Sequence, residues 1–375
     1  MIWTKGERLP TEYSFHKDRV TGTRVHQLTA HESTNHATYF LQNSFTPDGR
    51  TMLFISNRSG SWQLFAVTEF PGGDLMQLTD GPPIHPFSPA FHPAGDRVFF
   101  VRGSGIWWLR LDTLAEGCVV EFGGGSMGEC SFDASGEWLV AAVKKDGPSG
   151  LAVGRADGTA WHVIPFPRTV IHPQFHPLEP EWIEFAGDPA PRMHRVRRDG
   201  TDLDCLHFHD NDEFVVHETF LGQTGQVVYT VWPSALRSMD WRTREHRTIA
   251  EFNAWHITPN RAGTAVLCDT NHPDAGIFIV DVATGARRLV CLSESSNGGS
   301  QWLTSRYALA EDFAAAQSAA KSGRALSWME VGTDTVYGPQ WTHPHPSYSR
   351  DERSVVFTSD RTGHAQVYVA EIPFD

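Results

Sequence analysis

Basic residues are in short supply: 31 Lys and Arg stand against 44 Asp and Glu, a formal net charge of −13. Nucleic-acid phosphates are bound by basic surfaces, so this balance argues against a nucleic-acid partner. It leaves room for an acidic substrate, because a local cationic site can sit on an acidic surface. Long apolar runs are missing as well. No segment approaches the roughly 20 apolar residues that span a bilayer, so no membrane partner is expected. Met1 to Gly6 and Glu7 hold no apolar stretch of signal-peptide length. Cysteine is scarce: Cys118, Cys130, Cys205, Cys268 and Cys291 are odd in number, scattered and never spaced as CxxC. Free thiols in a reducing compartment, and a cytoplasmic location, are the expectation.

Strand and turn formers are abundant instead. The chain has 13 Trp, 23 Phe, 33 Gly and 23 Pro, a composition of many short strands joined by turns. A repeated phrase organises them: an aromatic residue, a turn with Gly or charge, then an apolar strand. It begins at Phe45, Phe91, Phe132, Phe175, Phe220, Pro259 and Tyr348. A period of about 40–45 residues with several strands per unit is the mark of a β-propeller. Seven copies predict an all-β, seven-bladed propeller as one domain over residues 1–375. The last interval is about twice as long, which places an insertion over about 293–338. Within it Ser305 to Lys321 is alanine-rich and ends at Gly323, as a helix would. The final unit is short of strands. Thr23 to Thr29 matches the outer strand Leu75 to Thr79 and is expected to close the last blade.

Histidines recur at one place in this repeat. Three residues before each start lie Gln42, Ser88, Glu129, His172, His217, His256 and His345. Equivalent positions on successive blades face one funnel, so four consecutive blades present a histidine to it. A His-Pro before a strand, as in His172-Pro173, is also common for structural reasons. The stretch Gln340-Trp341-Thr342-His343-Pro344-His345-Pro346 adds more. Each histidine precedes a proline, which disfavours helical geometry and predicts extended backbone at both. Residues i and i+2 of a strand project to one side, with Cα atoms roughly 6.6 Å apart. The residues therefore predict a metal site from His256, His343 and His345, with Gln340 able to add an oxygen and His217 nearby for chemistry. Imidazole and amide ligands without cysteine suit Mn²⁺, Fe²⁺, Ni²⁺ or Zn²⁺. Arg192 begins a strand of blade four and is a candidate for the same funnel. The glycines of Phe122 to Ser126 lack the Lys-Ser/Thr of a phosphate loop and read as a turn. His207 to Asp210 and Asn271 to Asp274 read as loops.

The chain resembles the oligogalacturonate lyase family, propellers related to TolB-type repeats. The resemblance runs over nearly the whole length and is carried by Tyr39-Phe40 through Gly49, by Arg192-Met193, by Val216-His217-Glu218, and by Gln340 through Asp360. It implies Mn²⁺ held by His256, Gln340, His343 and His345, His217 as the catalytic base, and Arg192 as the catalytic arginine. His172 and His36 are expected to contact substrate. Two features depart from the family: Gly187 to Ala190 leads directly into Pro191-Arg192, and the 293–338 insertion is unexpected. Both bear on which substrate is held. The implied activity is metal-assisted β-elimination of short oligogalacturonides, an acidic oligosaccharide substrate. The competing readings are a lyase for ulvan or glucuronan, and a non-catalytic propeller that binds a protein or glycan.

Overall fold

Strands such as Met52–Ser56 are buried at every position and apolar up to the closing serine, because both of their faces are covered. Met52 and Phe54 pack on Val356, Val367 and Val369 of the last blade. Leu53 and Ile55 pack on Val98 and Phe100 of the next one. Each such side chain contributes about 1.5–3 kcal/mol when removed from water, and the same arrangement repeats from blade to blade. The core of this protein is the set of layers between blades.

The computed structural model describes residues 3–144, 149–188, 190–210, 213–271, 273–297 and 342–373. These form seven antiparallel sheets of four or five strands, the expected seven-bladed propeller. The innermost strands are, in chain order, Asn35–Ala37, Ala90–Phe91, Ser126–Phe132, Thr169–Phe175, Val215–Phe220, Ala254–Pro259 and Ser347–Tyr348. Among the described residues there is no α-helix. The expected helix Ser305 to Lys321, most of the 293–338 insertion and Gln340 lie outside the described residues.

Ring closure follows the expectation and goes one strand further. Arg24–Gln27 pairs with Gln366–Glu371, with Val25 opposite Ala370 and Gln27 opposite Tyr368. Ser14–Lys17 then pairs outside Arg24–Gln27, and Arg8–Leu9 adds an outer strand to blade one. The N-terminal segment thus joins the last blade to the first. The glycine of the repeated phrase also has a physical cause. Gly95 takes a φ of 76°, and a Cβ there would lie 2.1 Å from the Pro47 ring of the preceding blade.

Candidate active site

The inner strand of blade one is interrupted, and the interruption builds the floor of the site. Ala37 pairs with Phe54, and pairing resumes only at Phe45 opposite Met52. Residues 38–44 leave the sheet and cross the central channel. Gln42 Nε2 donates to Cys130 O of blade three at 3.0 Å, and Asn43 Nδ2 donates to Tyr348 O of blade seven at 3.0 Å. Thr258 of blade six donates to Phe40 O at 3.0 Å. The Tyr39 hydroxyl meets His172 Nε2 of blade four at 2.8 Å. Phe40 is thereby fixed in the middle, its ring centroid 5.4–5.6 Å from those of His172, His217 and His256. Gln42 is therefore not the structural equivalent of His172, as the repeat predicts. The excursion displaces the register of blade one.

Backbone irregularities set the histidines around Phe40. In blade four His172-Pro173 together oppose the single residue Phe185, and in blade five His217-Glu218 oppose Tyr229. In blade six Trp255-His256 oppose Asp269. Such bulges re-aim side chains at functional sites. His172, His217 and His345 also take left-handed φ values of 55°, 57° and 45°, a conformation that costs a non-glycine residue about 1–3 kcal/mol and persists where surrounding structure enforces it. For His345 this corrects the expectation of extended geometry before Pro346. Blade packing outweighs the local preference.

His256, His343 and His345 come together as expected. All three are buried, and one nitrogen from each lies within 4.8 Å of the others. His256 is fixed by Asp269, which accepts its backbone N–H at 2.6 Å and its Nδ1–H at 2.9 Å. With Nδ1 engaged by Asp269, Nε2 is the nitrogen available as a ligand atom, as in the usual carboxylate–histidine–metal arrangement. His345 Nδ1 lies 3.0 Å from His36 Nε2, while its own Nε2 is buried without a partner. Burial, reinforced by the neighbouring histidines, holds His256 and His345 well below the ordinary imidazole range. Neutral imidazoles are the form that binds a metal, and the donor set fits a divalent cation. His217 stands apart from the trio, its ring 4.4 Å from His256 and 4.6 Å from Trp255. It too is held well below its ordinary value, by burial first and then by His172 and Arg192 against the opposing pull of Glu218.

Arg192 is buried in the same funnel rather than exposed. Its Nε and Nη2 donate to the two oxygens of Glu218 at 2.8 and 3.2 Å. Its backbone N–H donates to His209 Nε2 at 2.9 Å, so the 207–210 loop supports the site from behind. Burial works against ionisation of Glu218, but Arg192 and His172, the latter 3.6 Å away, outweigh it and keep the carboxyl below its usual range. His172 thus stands between Tyr39 and Glu218. His36, expected among the substrate contacts, stands behind His345 with both ring nitrogens engaged.

Sequence reasoning missed Asp269, Glu184 and the part played by Glu218. The signal for the first two is an acid inside a strand that is otherwise buried on both faces, as in Val266-Leu267-Cys268-Asp269 and Trp182-Ile183-Glu184-Phe185. Glu184 is fully buried, and neither carboxyl oxygen has a hydrogen-bond partner. Burial, with repulsion from Glu218, raises it well above the ordinary glutamate value despite Arg192. The folded protein then keeps a proton that the unfolded chain releases. The stability this contributes is present in full below the ordinary glutamate range and is lost as pH rises toward the folded value. Glu184→Gln is accordingly expected to raise the melting temperature above that of the wild type on the alkaline side. The gap should close in acid. Melting curves across pH check this, and a gap that does not change with pH would contradict it.

Comparison with known proteins finds similar chains along nearly the whole length. The family profile described as "Oligogalacturonate lyase" matches residues 3–142. An oligogalacturonide lyase of Pectobacterium atrosepticum is 23% identical over 403 residues, covering 98% of each chain. An oligogalacturonate lyase of Dickeya dadantii is 22% identical over 404 residues with the same coverage. Among solved structures, an oligogalacturonate lyase in complex with manganese superposes with a TM-score of 0.81 at 22% identity, covering 99% of this chain and 98% of the other. The oligogalacturonate lyase of Vibrio parahaemolyticus gives 0.79 at 19% identity, covering 99% of each. The chain is thus similar to oligogalacturonate lyases along nearly its whole length and shares the fold of their solved structures.

Proposed function

We propose that this protein cleaves short oligogalacturonides by β-elimination, leaving a 4,5-unsaturated uronide at the new end of the chain. The observation that carries the reading is the convergence of a buried three-histidine cluster, a neutral histidine and a clamped arginine on one funnel. A purely structural propeller requires none of these together. The substrate class comes from the names of the relatives, and manganese from the neighbour that holds it.

His256, His343 and His345 would hold the divalent cation, with Gln340 as a further oxygen ligand. When bound, the ion supplies positive charge where the uronate carboxylate settles. The protein's own residues divide the remaining tasks. Arg192, aligned by its two bonds to Glu218, pairs with the carboxylate at C6 and offsets the charge that builds there as C5 loses its proton. His217 takes that proton as a neutral imidazole, the state that its burial enforces. The electron pair of the C5–H bond becomes the C4=C5 double bond. The C4–O4 bond breaks, and its pair leaves on O4, which takes up a proton. His172 flanks the substrate on the blade-four side, next to Tyr39. Phe40 closes the channel beneath and keeps water from entering by that route.

A conjugated unsaturated uronate absorbs in the near ultraviolet, which makes the test direct. Purified protein with Mn²⁺ and digalacturonate is expected to show a steady rise in absorbance. EDTA should stop it, and added Mn²⁺ should restore it. A rise only with glucuronan or ulvan oligomers would move the substrate assignment. A flat trace on every uronide, with metal bound, would remove the lyase reading.

A further inference from the structure

We infer that His36 is a positioning residue for the metal centre: it fixes the tautomer of His345 so that Nε2 is the ligand atom. The inference rests on the metal-site reading above and goes beyond it by assigning the group that prepares one of the ligands.

The hydrogen-bond directions leave no other neutral arrangement. His36 Nδ1 contacts the carbonyl oxygen of Ala37. A carbonyl only accepts, so Nδ1 carries the proton. In a neutral imidazole the other nitrogen, Nε2, then has a lone pair. His345 Nδ1 lies 3.0 Å from that nitrogen and must be the donor. Its proton is thus fixed on Nδ1, and Nε2 is left bare. That Nε2 is the atom buried without a hydrogen-bond partner, and His345 supplies one ring nitrogen to the three-nitrogen cluster.

The arrangement is anchored on both sides. His36 sits on the inner strand of blade one, just before residues 38–44 leave the sheet, and is 2% exposed. The Ala37 N–H donates to Thr358 Oγ1 at 3.2 Å, while the Thr358 N–H donates to Pro344 O at 2.9 Å. Thr358 therefore ties the strand that carries His36 to the segment between His343 and His345. The site consequently has two kinds of support: a carboxyl behind His256 and a neutral imidazole behind His345. The neutral partner fixes geometry without adding negative charge near an ion that must attract an anionic sugar.

The test is equilibrium Mn²⁺ binding by the full chain, followed through the electron paramagnetic resonance of free Mn²⁺. Relative to wild type, His36→Leu is expected to weaken binding by about 10–100-fold, the usual effect of losing such a partner. His36→Gln, whose amide oxygen can accept from His345 Nδ1, should recover most of the affinity. Melting curves of the metal-free proteins show that both variants are folded. On wild-type protein, ¹⁵N shifts of labelled histidine provide a reading that needs no variant, and His345 should carry its proton on Nδ1. Wild-type affinity in His36→Leu, or a proton on His345 Nε2, overturns the role of His36 and leaves the metal site standing. If wild-type protein takes up no Mn²⁺, the metal-site reading falls and this inference falls with it.

Discussion

Replacing His217 by alanine is expected to lower kcat by at least the about 10²–10⁴-fold that a positioned general base supplies, while Mn²⁺ affinity stays within a few-fold of wild type. The expectation follows from where His217 sits. It touches the metal trio, 4.4 Å from His256 between ring centroids, but is not among the three residues whose nitrogens converge. Its bulge and its φ of 57° hold the ring in the funnel. Burial, then His172 and Arg192, keep it neutral although Glu218 is adjacent. A base must be unprotonated before it acts, and this environment meets that condition without a change of state. A ligand would behave differently, since its removal weakens metal binding and activity together. Unchanged turnover in His217→Ala would reject the assignment, and loss of metal in step with activity would move His217 into the ligand set.

The second large effect concerns Arg192, where activity and stability separate. Arg192→Met should lower kcat/KM by about 10²–10³-fold, the cost of removing one preorganised group that meets developing negative charge. The same substitution leaves Glu218 fully buried without its cation. Breaking one side of a buried pair costs on the order of 3–5 kcal/mol, so the single variant should also be clearly destabilised. Adding Glu218→Gln removes the stranded charge. The double variant should regain most of the stability and none of the activity. Denaturant unfolding and initial rates on the three proteins test both halves. Retained turnover in Arg192→Met would exclude it from the chemistry, and a double variant as unstable as the single one would show that charge pairing is not what Arg192 contributes to the fold.

The parts of this protein that were legible in the sequence are those written locally. The turn glycine and apolar strand of each blade are contiguous, so the repeat could be counted directly. The closing strand could be matched because Val25 to Thr29 resembles Leu75 to Thr79 in the same pleat. The metal trio was legible for a related reason. His343 and His345 are near neighbours, and the repeat register brings His256 to them.

What stayed hidden depends on contacts between strands and between blades. Residues 38–44 precede a regular copy of the phrase at Phe45, and nothing in their composition shows that they cross the channel. Glu218 was visible beside His217, yet its partner Arg192 belongs to the preceding blade. Asp269 and Glu184 are single charges in apolar strands, and their surroundings decide that one orients a ligand while the other is left without a hydrogen bond. The backbone of His345 is the instructive case. The proline that follows predicts extended geometry, and the packed channel enforces a left-handed one.

The central claim is that a bond to O4 is broken by elimination, and the products of trigalacturonate made in H₂¹⁸O decide it by mass spectrometry. Elimination consumes no water. The two fragments should therefore sum to the mass of the substrate, one of them unsaturated, with no ¹⁸O introduced at the point of cleavage. Fragments that together exceed the substrate by one water, with ¹⁸O at the new end, would mean hydrolysis and would contradict the roles given to His217 and Arg192.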